Sequence, residues 1–551
     1  MSASEHLKHP TLECLLSGKP SASTIQYRGL KYASIPRRWA ESTSNDALQI
    51  DSNRVFDATR FGPSCPQKRG GQAWDVSLVG DTTLAKEFGQ GDDAKMDEFE
   101  CLHLNITVPK TALAAKNTDG VGLPVFVWVH GGGLSLGSNS WPQYDLTKFV
   151  ERSVRIGKPV IGVAINYRVN IFGFLASEEL GIGGNLGYKD QAVAFRWIKK
   201  HIAGFGGDPT NITAAGESAG GISLSTLLCA NIGNEGLFER VVIMSGETTL
   251  RKPRNKKWQE AMYQDQLKYL GASKLDVADR RRLFNETDAE ELVQRLPLAQ
   301  HFCGFIDGKW LKEDPTLMSL ANPRSKLHKP DWCKEFVIGD TAHDGTILKA
   351  RILDAPNTFD HLQDLCSRHL TPSQTHALLS AYQLHPPPPP AQLPQHLLHL
   401  ASELRFYLPV LSAHRGWTTS SPPLRAHRYH FHIANPVPGP YKGLSSHELD
   451  VACLLLNFEH AFDAQSYAAA LQMADRFVRF VNGEGWAEEG CVVVFEGRGA
   501  QEVEVGAYDK RFRGGRGKVL EGIGEERVWG LAEAWQGVRG EEGVEGRGAR
   551  L

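Results

Sequence analysis

From about Gly122 onward the chain alternates short apolar runs with amphipathic stretches, and few folds accommodate that order. Residues 124–130 and 159–167 are almost wholly apolar and rich in Val and Ile, which predicts strands buried on both faces. After the second of these, Val193/Trp197 and Ala194/Ile198/Ile202 recur at helical spacing, one stripe of a helix laid on a sheet. Residues 212–215, 240–245, 335–339 and 428–433 supply further strands, and a helix rich in small residues follows over 219–230. The expectation is an α/β protein with a large, mostly parallel central sheet and helices on both faces.

With 551 residues, 41% apolar and 23% charged, the chain has the composition of an ordinary globular protein. One domain over residues 1–540 with a flexible tail over 541–551 is expected. The formal net charge of -2 gives no electrostatic reason for a nucleic-acid or membrane-surface partner, and no apolar run is long enough to span a bilayer. Residues 1–20 lack a basic stretch followed by an apolar run, which predicts a cytoplasmic location. The terminal Ala549-Arg550-Leu551 is a conservative variant of Ser-Lys-Leu, so a peroxisomal address is the alternative. Nine cysteines spread over the chain do not make a disulfide scaffold. The proline run 386–390 reads as a stiff surface connection. The Gly-, Arg- and Glu-rich stretch from 497 reads as a solvated loop around Lys510 to Arg516, one helix near 528–536, then a disordered end. The sequence specifies no oligomeric state.

The chemistry concentrates in Gly216-Glu217-Ser218-Ala219-Gly220, between a predicted strand and a predicted helix. A serine on so tight a turn projects its hydroxyl out of the sheet, and flanking side chains would collide with neighbouring elements. Upstream, His130-Gly131-Gly132-Gly133 ends another strand. Its bare N–H groups at Gly132 and Gly133, with that of Ala219, make an oxyanion hole for a developing alkoxide.

These two motifs are accompanied, in order, by Phe61-Gly62-Pro63-Ser64-Cys65-Pro66-Gln67, Glu100-Cys101-Leu102-His103-Leu104-Asn105-Ile106, Asn166-Tyr167-Arg168, Gly184-Asn185-Leu186-Gly187, Asp190-Gln191 and Phe205-Gly206-Gly207-Asp208-Pro209. The set resembles the type-B carboxylesterase/lipase family of α/β-hydrolases, with a fungal member as the expectation. The resemblance implies an α/β-hydrolase fold, hydrolysis of small-molecule carboxylic esters through an acyl-enzyme, and no metal or organic cofactor. It implies Ser218 as nucleophile, with the acid in Asp344-Gly345, where the family's usual Glu is replaced, and with His447 of Ser446-His447-Glu448-Leu449-Asp450 as base. Asp340 is the rival acid. Ser245 and Asp450 match positions that support the histidine from behind, or are plain structural polarity. Cys65 and Cys101 match the family's loop-closing disulfide; in a reducing compartment both stay thiols. The loop between them, with Trp74, Val76, Leu78, Val79, Leu84 and Phe88, is either a lid over the site or a fixed surface loop. Phe99-Glu100 stands where the family carries Glu-Asp, which puts a local ion pair in question. Among its histidines, His427, His430 and His432 on the last strand read as polar sheet positions, since no third ligand completes a metal pair. The rivals to an esterase are a non-catalytic binding protein on the same fold and an amide or lactone hydrolase, which uses the same machinery.

Overall fold

The computed structural model describes residues 6–81, 84, 95–114, 122–233, 235–298, 300–497 and 499–538. Among them thirteen strands form one sheet. They are β1 (Leu7–His9), β2 (Cys14–Pro20), β3 (Thr24–Lys31), β4 (Val55–Ala58), β5 (His103–Pro109), β6 (Leu123–Val129), β7 (Ile161–Ile165), β8 (Gly207–Glu217), β9 (Arg240–Met244), β10 (Glu335–Thr341), β11 (Arg425–Phe431), β12 (Cys491–Glu496) and β13 (Gly499–Glu504). The order is β1-β2-β3-β5-β7-β6-β8-β9-β10-β11-β12-β13, with β4 on β2. From β7 to β12 every pairing is parallel, and antiparallel strands close both flanks.

The central strands read as continuous apolar runs because each buries both faces. Along β6, Val125, Val127 and Val129 enter one core while Phe126 and Trp128 enter the other, all fully buried. Strand β9 divides the same way, Val241 and Ile243 against Val242 and Met244. Helix Leu186–His201 covers the first face through Ala194, Trp197 and Ile198, and helix Ala464–Val481 covers the second through Met473, Phe477 and Val481. No helix among the described residues is long and apolar enough to cross a membrane.

Two parts of the sequence reading need correction. The N-terminal strands β1 to β5 were not anticipated, because their alternation is broken by polar residues that pair along the flank. The stretch around Lys510 to Arg516 is no solvated loop: helix Val505–Arg513 carries Arg513 into the interior. Its guanidinium lies 2.7 Å from Asp340 and 3.4 Å from Glu403, takes a hydrogen-bonding position 3.0 Å from the Tyr508 hydroxyl, and sits over the Tyr407 ring. Arg516 pairs with the same Glu403, to which Tyr382 also donates. Like-charge density in the sequence hid this, since the acids that answer it lie more than a hundred residues upstream. Residues 541–551, with Ala549-Arg550-Leu551, and Phe88 lie outside the described residues.

Removing one member of such a buried network leaves the others unpaired. Arg513→Ala is expected to destabilise the protein by about 3–5 kcal/mol, read as a lower urea midpoint at unchanged m. A midpoint equal to wild type would show that the network carries no net stability.

Candidate active site

Strand β8 ends at Glu217 and helix Ala219–Cys229 begins one residue later, so Ser218 alone makes the turn, at φ 50° and ψ −119°. Its N–H is held by the Met244 carbonyl at 2.9 Å and its carbonyl accepts from Ile222 N–H at 2.8 Å. The space around the turn belongs to glycine. A Cβ on Gly220 would stand 2.0 Å from the Val129 carbonyl oxygen, and one on Gly216 would stand 2.7 Å from the backbone of Gly220. Ser218 is the half-buried residue of an otherwise buried turn, and it faces a cavity of about 180 Å³.

The loops after β10 and β11 bring in the other two groups. A parallel bridge joins His343 to Ser446, so the next residues on each chain, Asp344 and His447, fall side by side. His447 Nδ1 donates to Asp344 Oδ1 at 2.7 Å, and Asp344 Oδ2 accepts from Ser245 Oγ at 2.9 Å and Thr341 N–H at 2.8 Å. His447 and Ser218 line the same cavity. At rest His447 Nε2 has no hydrogen-bond partner; it lies 3.0 Å from Glu217 Oε1, out of line for a bond.

Asp340, the rival acid, is engaged elsewhere. The β10–β11 register sets it beside His430, whose Nδ1 is 2.5 Å from its Oδ1, and Arg513 takes the other oxygen. Burial pushes its carboxyl up, but Arg513 and His430 outweigh burial and hold it below its ordinary range. Asp450 does not touch His447: it accepts from the Tyr429 hydroxyl at 2.9 Å and from Val451 N–H. The remaining strand histidines are likewise used, His427 on Glu335 and His432 on the Tyr508 hydroxyl.

Gly132 and Gly133 turn at φ 100° and 62°. Among the described residues neither amide is taken up by a protein group. The N–H of Ala219 lies in the first turn of its helix, where no carbonyl is available within the helix. The loop is braced by motif residues: Gln67 grips Gly137 through N–H and carbonyl at 2.7 and 3.0 Å, and Asn170 N–H donates to Leu134. Arg168 pairs with buried Asp190 through two nitrogens, at 2.7 and 2.8 Å.

Acids line the wall behind His447: Glu217 and Asp450 from the motifs, together with Glu448 and Asp75, to which the sequence reading gave no role. Glu448, in left-handed backbone at φ 71°, lies against Glu217, and both approach Gly131 so closely that a Cβ there would stand 3.1 and 3.2 Å from their oxygens. The Tyr144 hydroxyl bridges Glu448 and Asp75, at 3.2 and 3.0 Å. Burial first, and then neighbouring carboxyls, push Glu217 and Glu448 well above their ordinary range; Asp450 is pushed to about 7 and Asp75, by burial alone, to about 6. Asp75 sat hidden between Trp74 and Val76, where the sequence signal was apolar.

Trp74, Asp75 and Leu78 line the cavity mouth from the loop between Cys65 and Cys101. This loop is tied down by Asp75 to Gln143 and Tyr144, and by the Val79 carbonyl to Asn435. Cys65 and Cys101 lie against each other as buried thiols, and Cys65, ahead of burial, pushes the Cys101 thiol up. Near it Glu98 pairs with Arg38 and Glu100 with Lys31, so local ion pairs exist with other partners than the family pattern implied.

The sequence profile of the carboxylesterase family matches residues 15–485. Among similar curated proteins, Lipase 1 and Lipase 3 of Yarrowia lipolytica are 34% and 31% identical over 345 and 346 residues, covering 61 and 62% of this chain and 62 and 63% of theirs. Para-nitrobenzyl esterase of Bacillus subtilis is 32% identical over 309 residues, 54% of this chain and 56% of its own. The chain thus spans about three fifths of the length of the curated relatives it matches. Among solved structures, a PNB esterase superposes with TM-score 0.67 at 23% identity, over 92% of this chain and 98% of that one. A Geobacillus stearothermophilus carboxylesterase does so with TM-score 0.67 at 25% identity, over 92% and 98%. The parallel sheet, the order of its motifs and these likenesses agree: the chain belongs to the carboxylesterase family and has the α/β-hydrolase fold.

Proposed function

We propose that the protein is a serine esterase that hydrolyses carboxylic esters by two acyl transfers. The observation that carries the reading is the strained Ser218 facing the cavity beside a histidine fixed at 2.7 Å on Asp344. Ser218 Oγ attacks the ester carbonyl while His447 Nε2 takes its proton. The negative charge passes to the former carbonyl oxygen, which the N–H groups of Gly132, Gly133 and Ala219 receive. The tetrahedral species collapses, the C–O bond to the alcohol breaks, and His447 returns the proton to the departing oxygen. Water then enters on the same terms, giving up its proton to His447, and the acid leaves with Ser218 restored. Asp344 holds the imidazole in the tautomer with Nε2 free, and Ser245 and Thr341 N–H keep Asp344 in place.

The neutral wall behind His447 belongs to this reading. Burial, and then the neighbouring carboxyls, push Glu217 beside Nε2 well above its ordinary range, which leaves Asp344, hydrogen-bonded to Nδ1, as the partner that balances the imidazolium. These carboxyls bind protons more readily folded than unfolded. Their contribution therefore favours the fold at low pH and weakens as pH rises from about 4, the unfolded value, through about 6 for Asp75 and 7 for Asp450.

Three outcomes are expected. A fluorophosphonate probe labels wild type and not Ser218→Ala; equal labelling of both would remove Ser218 from the reaction. Asp344→Asn lowers kcat on the order of thousands-fold, as a wrong tautomer does in serine proteases, while Asp340→Asn costs far less once folded protein is compared. If Asp340→Asn were the more damaging for folded enzyme, the acid would be Asp340. Glu448→Gln, which keeps shape and removes a titrating group, raises the melting temperature at pH 8 more than at pH 5; an equal shift at both would contradict the protonation argument.

A further inference from the structure

The same cavity is lined by two arginines, Arg251 and Arg351. Arg251 reaches the oxyanion loop: a Cβ on Gly133 would stand 3.3 Å from its Nη2, and its Nη1 donates to the Gln300 carbonyl at 3.0 Å. Arg351 follows the acid loop, in the turn Lys349–Leu353, and among the described residues its guanidinium has neither ion pair nor hydrogen bond. Behind them Arg405 is buried, with Nε and Nη1 unpartnered, stacked on Trp529. The acids of this region are taken: Glu533 pairs with Arg254, and Glu247, pushed up to about 7 by burial, accepts from Thr249 and Ser225. The surplus of positive charge is felt by its neighbours. Burial and then Arg351 press Arg251 down to about 9, and buried His301, with both ring nitrogens unpartnered, is held well below its ordinary range by burial and by Arg251 and Arg351.

Half-buried guanidinium groups without a carboxylate are costly unless the cavity's occupant supplies one, and a planar fork matches a carboxylate's two oxygens. The side of the cavity follows from the reaction. The departing alcohol takes its proton from His447, so it lies on the histidine side, and the acyl chain on the same carbon points away from it. Ile222, Leu250 and Leu348 also line the cavity and suit a short methylene chain.

We propose that the favoured substrates are esters whose acyl part ends in a carboxylate, half-esters of dicarboxylic acids, with the free carboxylate seated on Arg251 and Arg351. This rests on the esterase reading of Ser218 and names its substrate class.

The test compares monoethyl glutarate with ethyl valerate, of equal chain length, by ethanol release. Wild type is expected to favour the anionic ester by about tenfold or more in kcat/KM, the worth of one charged hydrogen bond, with the preference shrinking at high salt. Arg351→Gln and Arg251→Gln each lower the ratio about tenfold, and Arg351→Lys keeps part of it. A wild-type ratio at or below one, or a ratio unmoved in both Gln variants, overturns the proposal. Equal preference for the acetate ester of 4-hydroxybutyrate, which carries its carboxylate on the alcohol, overturns the acyl placement. If neither ester is cleaved, calorimetry of monoethyl glutarate on Ser218→Ala decides. Binding that weakens in Ser218→Ala/Arg351→Gln supports the carboxylate seat while the esterase reading fails; no binding sinks both.

Discussion

At φ 50° a serine pays a steric penalty on the order of 1–3 kcal/mol, and the turn keeps that conformation only because the chains around it leave no other. Gly246 comes so close that its Cβ would stand 2.1 Å from the Ser218 carbonyl oxygen, and Gly221 would meet the Gly246 carbonyl at 2.8 Å. Strands β6, β8 and β9 thus pinch the turn from both sides, and each needs glycine where it approaches. The Gly132–Gly133 loop leaves the end of β6, the neighbour of β8, so it starts beside the Ser218 turn. The strain at one residue is the geometric consequence of a parallel sheet built this tightly.

The cavity that results has two electrostatic walls. On the histidine side burial pushes the carboxyls of Glu217 and Glu448 well above their ordinary range, which weakens the negative charge of that wall. On the far side guanidinium groups stay charged even when burial presses them down, because their ordinary range is so high. Burial presses both kinds of group toward the neutral form and leaves opposite results.

Much of this was legible in sequence wherever one residue type has one physical use. Strands β6 and β7 declared themselves by continuous apolar runs and β11 by alternation, and the turn at Ser218 by glycines that only close packing requires. Asp344 was separable from Asp340 only through resemblance; the structural reason, the His343–Ser446 bridge on one hand and the Asp340–His430 register on the other, is a tertiary fact. The acids Asp75 and Glu448 and the arginines 251 and 351 were opaque for the same cause. A charged side chain in sequence looks solvated until the fold shows what faces it. Asp450 matched a supporting position, yet its hydrogen bonds go to the Tyr429 hydroxyl and the Val451 N–H rather than to His447.

The C-terminal segment illustrates how such hidden pairings do mechanical work. Residues beyond 485 fall outside the family match, yet β12 extends the parallel sheet and helix Val505–Arg513 sends Arg513 to Asp340 at the end of β10. The next residue, Thr341, gives its N–H to Asp344, so the anchor at Asp340 and the carboxylate of Asp344 share one short loop. Glu403, the other partner of Arg513, opens the π-helical segment Glu403–Tyr407, whose Phe406 packs against His447 with ring centroids 5.5 Å apart. Helix Glu525–Trp535 then lays Trp529 on Arg405, and Gln536 just past it lines the cavity. Asp340, at the head of the loop that carries Asp344, and Arg405, stacked on Trp529, are thus braced by residues beyond 485, so a segment outside the family match supports the surroundings of the cavity.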